Sequence, residues 1–523
     1  MEKWEVIAHY RNILAEEGVK PKNGKVKVAL IYPNRYDIAI QNLGFQFVWN
    51  ELNKIKGLCC ERFVLDYYED NLSIENQRFL NEFDIIAISI NYEDDVLNLI
   101  KFLHSQKIPI FKDERDYRYA PIISGGVLGV INPNILKDIV DVQLLGDFRP
   151  MLVDITKIFV KFENKDDFLN ELKDLIYVFP NNLGQLTKPI IDSSGKPIYS
   201  TIKTVKGEFE NTFLIEASKS CKYNCRFCTT GYNLRPYRKI DINKVIDIIE
   251  RHRFSDHIGI ISAAFGDISN LDCLLQWMID KKLTISISSL RIDSLNFKLL
   301  ENLKSLGVRS ITIAEEVASE RLKKLIAKDI VKNDILNAVE LIASVGIENL
   351  KLYYMFGFHE ETIEDIKEIV ERVGEISNLF RDVQRKRFNR LGKIKVSVNI
   401  FNPKPFTPLQ FFPIESKDKY NKKLKYLKNL NKIPNVKVNI MSYNDAVLQT
   451  TIAKAGKDIG QFYNLLIKNR FDVKNSIKEY NNEYIYKMYS TTDELPWENM
   501  IEPNIKKEIL IKEFEKCLAA IRG

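Results

Sequence analysis

Three cysteines, Cys221, Cys225 and Cys228, are separated by three residues and then by two in the run Cys-Lys-Tyr-Asn-Cys-Arg-Phe-Cys. With seven cysteines in 523 residues, two more at fixed offsets from any one arise by chance in about one sequence in a thousand. Three thiolates on one short loop can cap three corners of a four-iron four-sulfur cube. No fourth cysteine is near, so one iron would stay open and could chelate a substrate through an amine and a carboxylate. A structural zinc loop is the competing reading, but zinc needs a fourth ligand. The nearest histidines, His252 and His257, are not paired with a cysteine. The cysteine count is odd and the other four, Cys59, Cys60, Cys273 and Cys517, are scattered. That is no disulfide framework, and it points to a reducing compartment.

The cysteines follow an apolar run, Thr212 to Ala217, which is the first of six strand-like segments. The others are His257 to Ser262, Leu283 to Ser288, Ser310 to Ala314, Leu350 to Met355 and Lys395 to Ile400, with helical patterns between them. Strand then helix, six times over, predicts a partial (β/α)6 barrel, whose chemistry belongs at the carboxyl ends of its strands. A series of the same kind precedes it. Lys25 to Tyr32, Asp84 to Ile90, Ala120 to Ser124 and Val140 to Leu145 are apolar runs, with helical patterns at Phe45 to Ile55 and Val96 to His104. Buried strands alternating with helices predict a doubly wound, Rossmann-like parallel sheet, so the fold class is α/β. Ligands of such sheets bind beyond the carboxyl ends of the strands, here Pro33-Asn34-Arg35, Asn91-Tyr92-Glu93 and Ser124-Gly125-Gly126. The expected division is 1–160 for this first domain, with an amphipathic helix over Met1 to Lys20, and 161–206 for a connector. The barrel takes 207–438, and 439–523 is a small, mostly helical C-terminal region.

The hydrophobic fraction of 45% and charged fraction of 28% are those of an ordinary globular protein. No apolar run approaches the about 20 residues of a membrane helix, and Met1 to Lys20 lacks the apolar segment of a secretory signal. The expectation is a cytoplasmic protein with no membrane partner. A net charge of +7, from 77 basic and 70 acidic residues without a block of like charge, does not indicate nucleic acid.

Cys221 to Cys228, preceded by Ile215-Glu216-Ala217-Ser218-Lys219-Ser220 and with the aromatic Phe227 before the last cysteine, resembles the radical S-adenosylmethionine superfamily. Tyr32 to Phe45, Thr312 to Arg321 and Asn402 to Gln410 resemble, more narrowly, its subgroup with an N-terminal cobalamin-binding-like domain. The resemblance covers most of residues 25 to 460. It implies a [4Fe-4S] cluster on Cys221, Cys225 and Cys228, with S-adenosyl-L-methionine on the open iron and its sulfonium beside the cluster. One electron then cleaves it to a 5′-deoxyadenosyl radical, which abstracts hydrogen from an unactivated position. An external one-electron reductant of the flavodoxin or ferredoxin kind is implied as partner.

The resemblance also implies binding residues at strand ends. Phe227 stands near the adenine, and Ala264 to Asp267, of which only Gly266 and Asp267 match in kind, holds the methionine amine. Ser289 and Arg291, then Glu316, Ser319 and Arg321, stand where related proteins contact the ribose and the carboxylate. A guanidinium suits a carboxylate bidentately, and Glu316 can accept from ribose hydroxyls. A helix cap or a solvated ion pair is the plainer role for each.

Cobalamin is less sharply marked. None of His9, His104, His252, His257 or His359 sits in an Asp-x-His-x-x-Gly loop, and many radical enzymes with this domain lack that histidine too. Ser124, Gly125 and Gly126 permit close approach of a nucleotide tail, and equally a tight turn. Gly146-Asp147-Phe148 departs from the Gly-Glu-Gly-Glu pattern of similar proteins. With cobalamin bound, the resemblance implies a methyltransferase that moves a methyl group from methylcobalamin to the unactivated carbon. Methylthiolation of transfer RNA would need three more cysteines in the first domain, where only Cys59 and Cys60 occur, expected in the core at a helix end. A sensor that binds S-adenosylmethionine without cleaving it is the rival of another class. Tyr353, Tyr354, Phe356 and Phe358 could shield a radical or line a pocket but are expected as core, and His359-Glu360-Glu361 could meet substrate but is expected as a helix cap.

Overall fold

The computed structural model describes residue 16 and residues 22–65, 72–205, 207 and 209–522. The expected helix over Met1 to Lys20 therefore lies outside the described residues, Glu16 excepted. The chain divides into two compact units.

The first unit takes the described part of 1–215 together with 452–481 and 494–504. Its strands are β1 (Val26–Tyr32), β2 (Leu58–Val64), β3 (Ile85–Ser89), β4 (Ile122–Gly125), β5 (Val142–Leu144) and β6 (Val178–Phe179). They form one sheet in the order β2-β1-β3-β4-β5-β6. The first five are parallel and β6 is antiparallel to β5. Six of the seven residues of β1 are buried, as a parallel strand covered on both faces requires. Asn42 starts the following helix, Leu43–Lys54, by accepting from the Phe45 amide.

Cys59 and Cys60 lie in β2 rather than at a helix end. The charges of Glu61 and Arg62 disguise this strand, yet both are buried and paired. Glu61 accepts from Ser73 at 2.5 Å and Arg78 at 2.6 Å, and Arg62 bridges Glu16 and Glu75, both at 2.6 Å. Residues 452–481 and 494–504 pack into this unit through two asparagines that follow the short helix Val127–Ile131. Asn132 donates to the carbonyls of Ala453 and Ala455, and Asn134 to those of Ala455 and Pro496.

The six expected barrel strands are all present: the first ends at the boundary between the units, and the other five lie in the second unit (216–451, 482–493 and 505–523). β7 (Thr212–Glu216), β10 (His257–Ile261) and β11 (Thr284–Ile287) form a sheet ordered β11-β10-β7. β12 (Ser310–Glu316), β13 (Asn349–Phe356) and β14 (Lys393–Ile400) continue it after a parallel bridge between Leu290 and Ile313. A seventh strand, β15 (Val436–Ile440), pairs in parallel with β14 where the sequence pattern predicts the start of helices. A small antiparallel ribbon, β8 (Ser218–Lys219) with β9 (Arg238–Lys239), flanks the cysteines.

β13 and β14 alternate strictly. Leu350, Leu352, Tyr354 and Phe356 are buried, as are Ile394, Val396, Val398 and Ile400, while the residues between them are partly or fully exposed. The buried face meets the long helix Ile363–Phe388, whose Arg372 reaches Glu315 of β12. Tyr354 and Lys323 bind the same carboxylate at 2.8 and 3.1 Å. Tyr354, Phe356 and Phe358 are core as expected, whereas Tyr353 is 40% exposed on the other face.

The turn after β4 is tightly constrained. Gly126 has φ 119°, and a Cβ there would meet the Ile90 carbonyl oxygen at 2.1 Å. Replacing Gly126 with alanine is expected to cost on the order of 2 kcal/mol or more, since left-handed backbone and a backbone clash combine. A urea unfolding midpoint equal to that of the natural protein would show that the turn relaxes freely.

Candidate functional site

β7 and the β8 ribbon deliver the chain to the cysteine loop, and the short helix Thr229–Tyr232 takes it away. All three cysteines are half-buried. The loop is closed by local bonds: the Cys228 amide donates to the Cys225 carbonyl at 2.9 Å, and the Ser220 hydroxyl to the Thr230 carbonyl at 2.9 Å. Gly231 must be a glycine, because a Cβ would stand 2.6 Å from the Tyr223 carbonyl oxygen.

Arg226, inside the motif, anchors the loop from below. Its amide donates to the Ile326 carbonyl at 3.0 Å, and its guanidinium donates to the carbonyls of Lys324 (2.7 Å) and Leu325 (3.0 Å) and to Glu513 (3.1 Å). Those three carbonyls end the helix Glu320–Ile326, where backbone acceptors outnumber intrahelical donors and carry partial negative charge. Glu513 belongs to the helix Lys507–Arg522. The stretch Asn402 to Gln410 closes over the same loop: the Leu409 amide donates to the Arg226 carbonyl, and Asn233 donates to the Pro405 carbonyl.

Electrostatics around the thiols are mixed. Burial, with a further contribution from Cys228, raises the Cys221 thiol, and burial pushes Cys225 up to about 11. Lys328 and Arg291 oppose this at Cys225, and Arg291 also does so at Cys221. Among the described residues no three His, Cys, Asp or Glu side chains stand together at metal-ligand spacing. The donor set still fits a cluster with one open iron: three thiols on one loop, cations beside them, and no fourth cysteine. It does not fit zinc, since the imidazole of His257 is engaged by Thr284 (2.7 Å) and Ser286 (2.8 Å).

The other expected residues divide into two groups. Gly266 and Asp267 form a single 3-10 turn after β10, and a Cβ on Gly266 would strike the Ser294 hydroxyl at 2.3 Å. Asp267 accepts from Lys222 at 2.8 Å and from the Tyr223 hydroxyl at 3.2 Å, while its second oxygen is buried without a partner. An orphaned carboxylate oxygen beside the cysteine loop suits an ammonium group. Arg291 lies over the Tyr223 ring at 3.5 Å and pairs with Asp293 at 2.7 Å. Glu316 sits at a bulge of β12 with φ 71° and accepts from Lys328 at 3.2 Å. Phe227, within the loop, and Ser289, two residues past β11, are half-buried.

Ser319 and Arg321 are already committed elsewhere. Ser319 caps the helix Glu320–Ile326 through the Leu322 amide, and Arg321 binds Asp365 at 2.5 Å and the Glu360 carbonyl at 3.0 Å. Lys222, Tyr223 and Lys328 join the site without having been singled out from sequence. Lys222 and Tyr223 stand inside the motif and could have been read there, but Lys328 carries no spacing signal. It folds back after Ala327, which is left-handed at φ 55°, and donates to the Ala314 carbonyl at 2.6 Å.

In the first unit, Ser124 is buried within β4, Gly125 ends the strand, and the amide after Gly126 donates to Asn91 at 3.2 Å. Asn34 donates to Asp95 at 2.7 Å, and burial pushes the Asp95 carboxyl up to about 6. The loop of β1 thus meets the helix that follows β3, and the loop of β3 meets the turn after β4, with Ser124 set below the surface.

Residues 215–373 match the model of the radical SAM superfamily, and residues 44–179 that of the N-terminal domain of radical SAM proteins. An uncharacterized protein of Methanocaldococcus jannaschii, MJ0966, is 30% identical over 453 residues, 83% of this chain and 90% of that one. The chain belongs to the radical SAM superfamily. It is a radical SAM enzyme with the N-terminal domain of that family, and the family brings with it a [4Fe-4S] cluster and S-adenosylmethionine. An uncharacterized methyltransferase of Pyrococcus horikoshii, PH0819, is 23% identical over 175 residues, 30% of this chain and 36% of that one. Among solved structures, the methyltransferase TsrM of Kitasatospora setae matches with a TM-score of 0.48 and 12% identity over 74% of this chain and 75% of that one. The cobalamin-dependent enzyme OxsB matches with 0.46 and 13%, over 95% of this chain and 79% of that one. Among the described residues no helix is long and apolar enough to cross a membrane.

Removing the buried guanidinium by Arg226→Ala leaves Glu513 and the carbonyls of Lys324 and Leu325 without this donor, a loss of about 1–3 kcal/mol. The expected result is a folded radical SAM protein whose iron and sulfide content after anaerobic reconstitution falls well below that of the natural chain. Full retention of both would show that the loop does not need this anchor.

Proposed function

We propose that this radical SAM enzyme holds its cluster on Cys221, Cys225 and Cys228 and is a cobalamin-dependent methyltransferase acting on an unactivated carbon. The loop carries the reading: three half-buried thiols beyond the first barrel strand, fastened by Arg226 and with no fourth cysteine in the motif. When bound, the cluster supplies the electron that cleaves S-adenosylmethionine, and an external flavodoxin- or ferredoxin-like donor replaces it.

The chain's own residues then have distinct tasks. The orphaned oxygen of Asp267 accepts from the methionine ammonium, and Lys222 and Tyr223 hold its other oxygen in place. Arg291 faces the carboxylate, its plane set by Tyr223 and Asp293. Glu316 offers its free oxygen to the ribose while Lys328 neutralises it. Phe227 lies along the adenine. Ser319 and Arg321 act through the helix that they cap and tether. In the first unit, the carboxyl edge formed by the loops of β1, β3 and β4 takes the corrinoid, with Gly125 and Gly126 allowing a close backbone approach. The match to a relative named as a methyltransferase supports methyl transfer.

The test is anaerobic purification from cells supplied with cobalamin, followed by reduction in the presence of S-adenosylmethionine. About four irons and about one corrinoid per chain, with 5′-deoxyadenosine or S-adenosylhomocysteine formed, is the expected result. Each single Cys→Ala change should abolish both products. A loaded cluster that yields neither would leave a sensor, and an intact cluster without corrinoid would remove methylcobalamin from the reaction. Asp267→Asn should raise the KM for S-adenosylmethionine by about tenfold, the worth of one charge-assisted hydrogen bond. An unchanged KM would take Asp267 out of the binding set.

A further inference from the structure

We infer that the inner face of the β12–β15 sheet is an anion-binding wall carried by Lys351, Lys395 and Lys437, and that the barrel's substrate is a small molecule bearing phosphate or carboxylate groups. This rests on the reading of the barrel as the reaction chamber.

The register makes the argument. Lys351 of β13 stands opposite Lys395 of β14, which stands opposite Lys437 of β15. In-register residues of parallel strands share one face, about 4.8 Å apart. Three ammonium groups are therefore aligned across three strands, although like charges placed side by side destabilise a sheet. None of the three makes an ion pair or hydrogen bond with a described residue. Lys395 and Lys437 are exposed and Lys351 is half-buried.

Lysines on an edge strand can serve only to discourage pairing with another chain. That account covers Lys437 on β15 and leaves Lys351, two strands further in, unexplained. The barrel interior is also unusual, since such interiors are commonly filled by layers of branched apolar side chains. Here the same face continues with Tyr353, Ser397 and Asn439 in register, and then with Met355 beside Asn399. The wall thus carries cations near the amino ends of its strands and hydroxyl and amide groups toward their carboxyl ends. Lys395 and Asn399 are four residues apart, about 13 Å along the strand. A ligand little more than a nanometre long, with its anionic end on the lysines, would bring its other end to the carboxyl edge, the edge at which the cysteine loop follows β7. The ammonium of lysine is a point charge with three donors, suited to phosphate and carboxylate oxygens alike.

The test is calorimetric titration of the full-length protein with inorganic pyrophosphate and, separately, with citrate at low ionic strength. Saturable binding of either is expected, and the preferred anion separates phosphate from carboxylate as the group recognised. K395Q should weaken it about tenfold, and K351Q/K395Q/K437Q by about a hundredfold or more, while K395R retains most of it. These side chains are largely solvated, so the variants should keep the natural circular dichroism spectrum; if the triple variant does not fold, K395Q alone decides. No binding by the natural protein, or equal binding by the natural protein and K395Q, overturns the proposal. Tighter, lysine-dependent binding of a single-stranded oligonucleotide would overturn the small-molecule assignment. Anion binding without any product from S-adenosylmethionine would instead mean that the reaction-chamber reading has failed while the wall stands.

Discussion

The arrangement at the barrel mouth depends on one buried guanidinium. Arg226 sits in the middle of the cysteine motif, and its donors reach the carbonyls that close the helix Glu320–Ile326 and a carboxylate on Lys507–Arg522. A loop that the metal must shape loses binding free energy to folding, whereas a loop already fastened by Arg226 does not. Helix-end carbonyls are a natural partner for a cation: they outnumber intrahelical donors and sit at the negative end of the helix dipole. The consequence reaches far along the chain. Glu513 is 287 residues from Arg226, so the last helix belongs to the support of the site. Phe514 beside it packs on Phe411 and Phe412, just past the stretch that closes over the loop.

A second constraint operates at the end of β12. Glu315 and Glu316 are consecutive, yet they serve opposite sides of the sheet. Glu315 is bound on the buried side by Arg372, Lys323 and Tyr354, and Glu316 turns to Lys328 on the other. The bulge between Ala314 and Glu316, with Glu316 at φ 71°, re-aims the second carboxylate. Bulges commonly do this beside functional sites, and the cost of a left-handed glutamate is of order 1–3 kcal/mol. The buried cluster around Glu315 offsets it: with its neighbour locked by three partners, the strand end has no freedom to relax.

How much of this was legible in the sequence follows from how local each feature is. The cysteines were legible because their geometry is written within eight residues, and the barrel strands because each is a short β-branched run. β2 was hidden by Glu61 and Arg62, whose charges read as surface until their partners at Ser73, Glu75 and Arg78 are known. β15 was hidden because its Val-Lys-Val-Asn-Ile run is short, half polar and set at the edge of the sheet, so burial imposes little pattern on it. Ser319 and Arg321 show the reverse. Their residue types and positions suited a ligand, but a serine before a helix and an arginine facing Asp365 also suit a cap and a tether. Lys328 was invisible for a topological reason, since only the reversal at Ala327 brings it to Glu316 and Ala314.

The division of labour between the two faces of the β12–β15 sheet follows from the barrel's being partial. In a closed barrel the interior is inaccessible, so apolar side chains must fill it and the core is shared between inside and outside. Here the buried residues of β13 and β14 all lie on the outer face against helices, and Glu315, Arg372 and Tyr354 supply the polar bonds on that same side. The inner residues are partly solvated and contribute little hydrophobic stabilisation, which scales with the apolar area removed from water. Folding therefore constrains the inner face only weakly. A polar, cationic lining can persist there because stability does not oppose it, and a change of lining residues can alter what the chamber accepts without unfolding the chain that carries it.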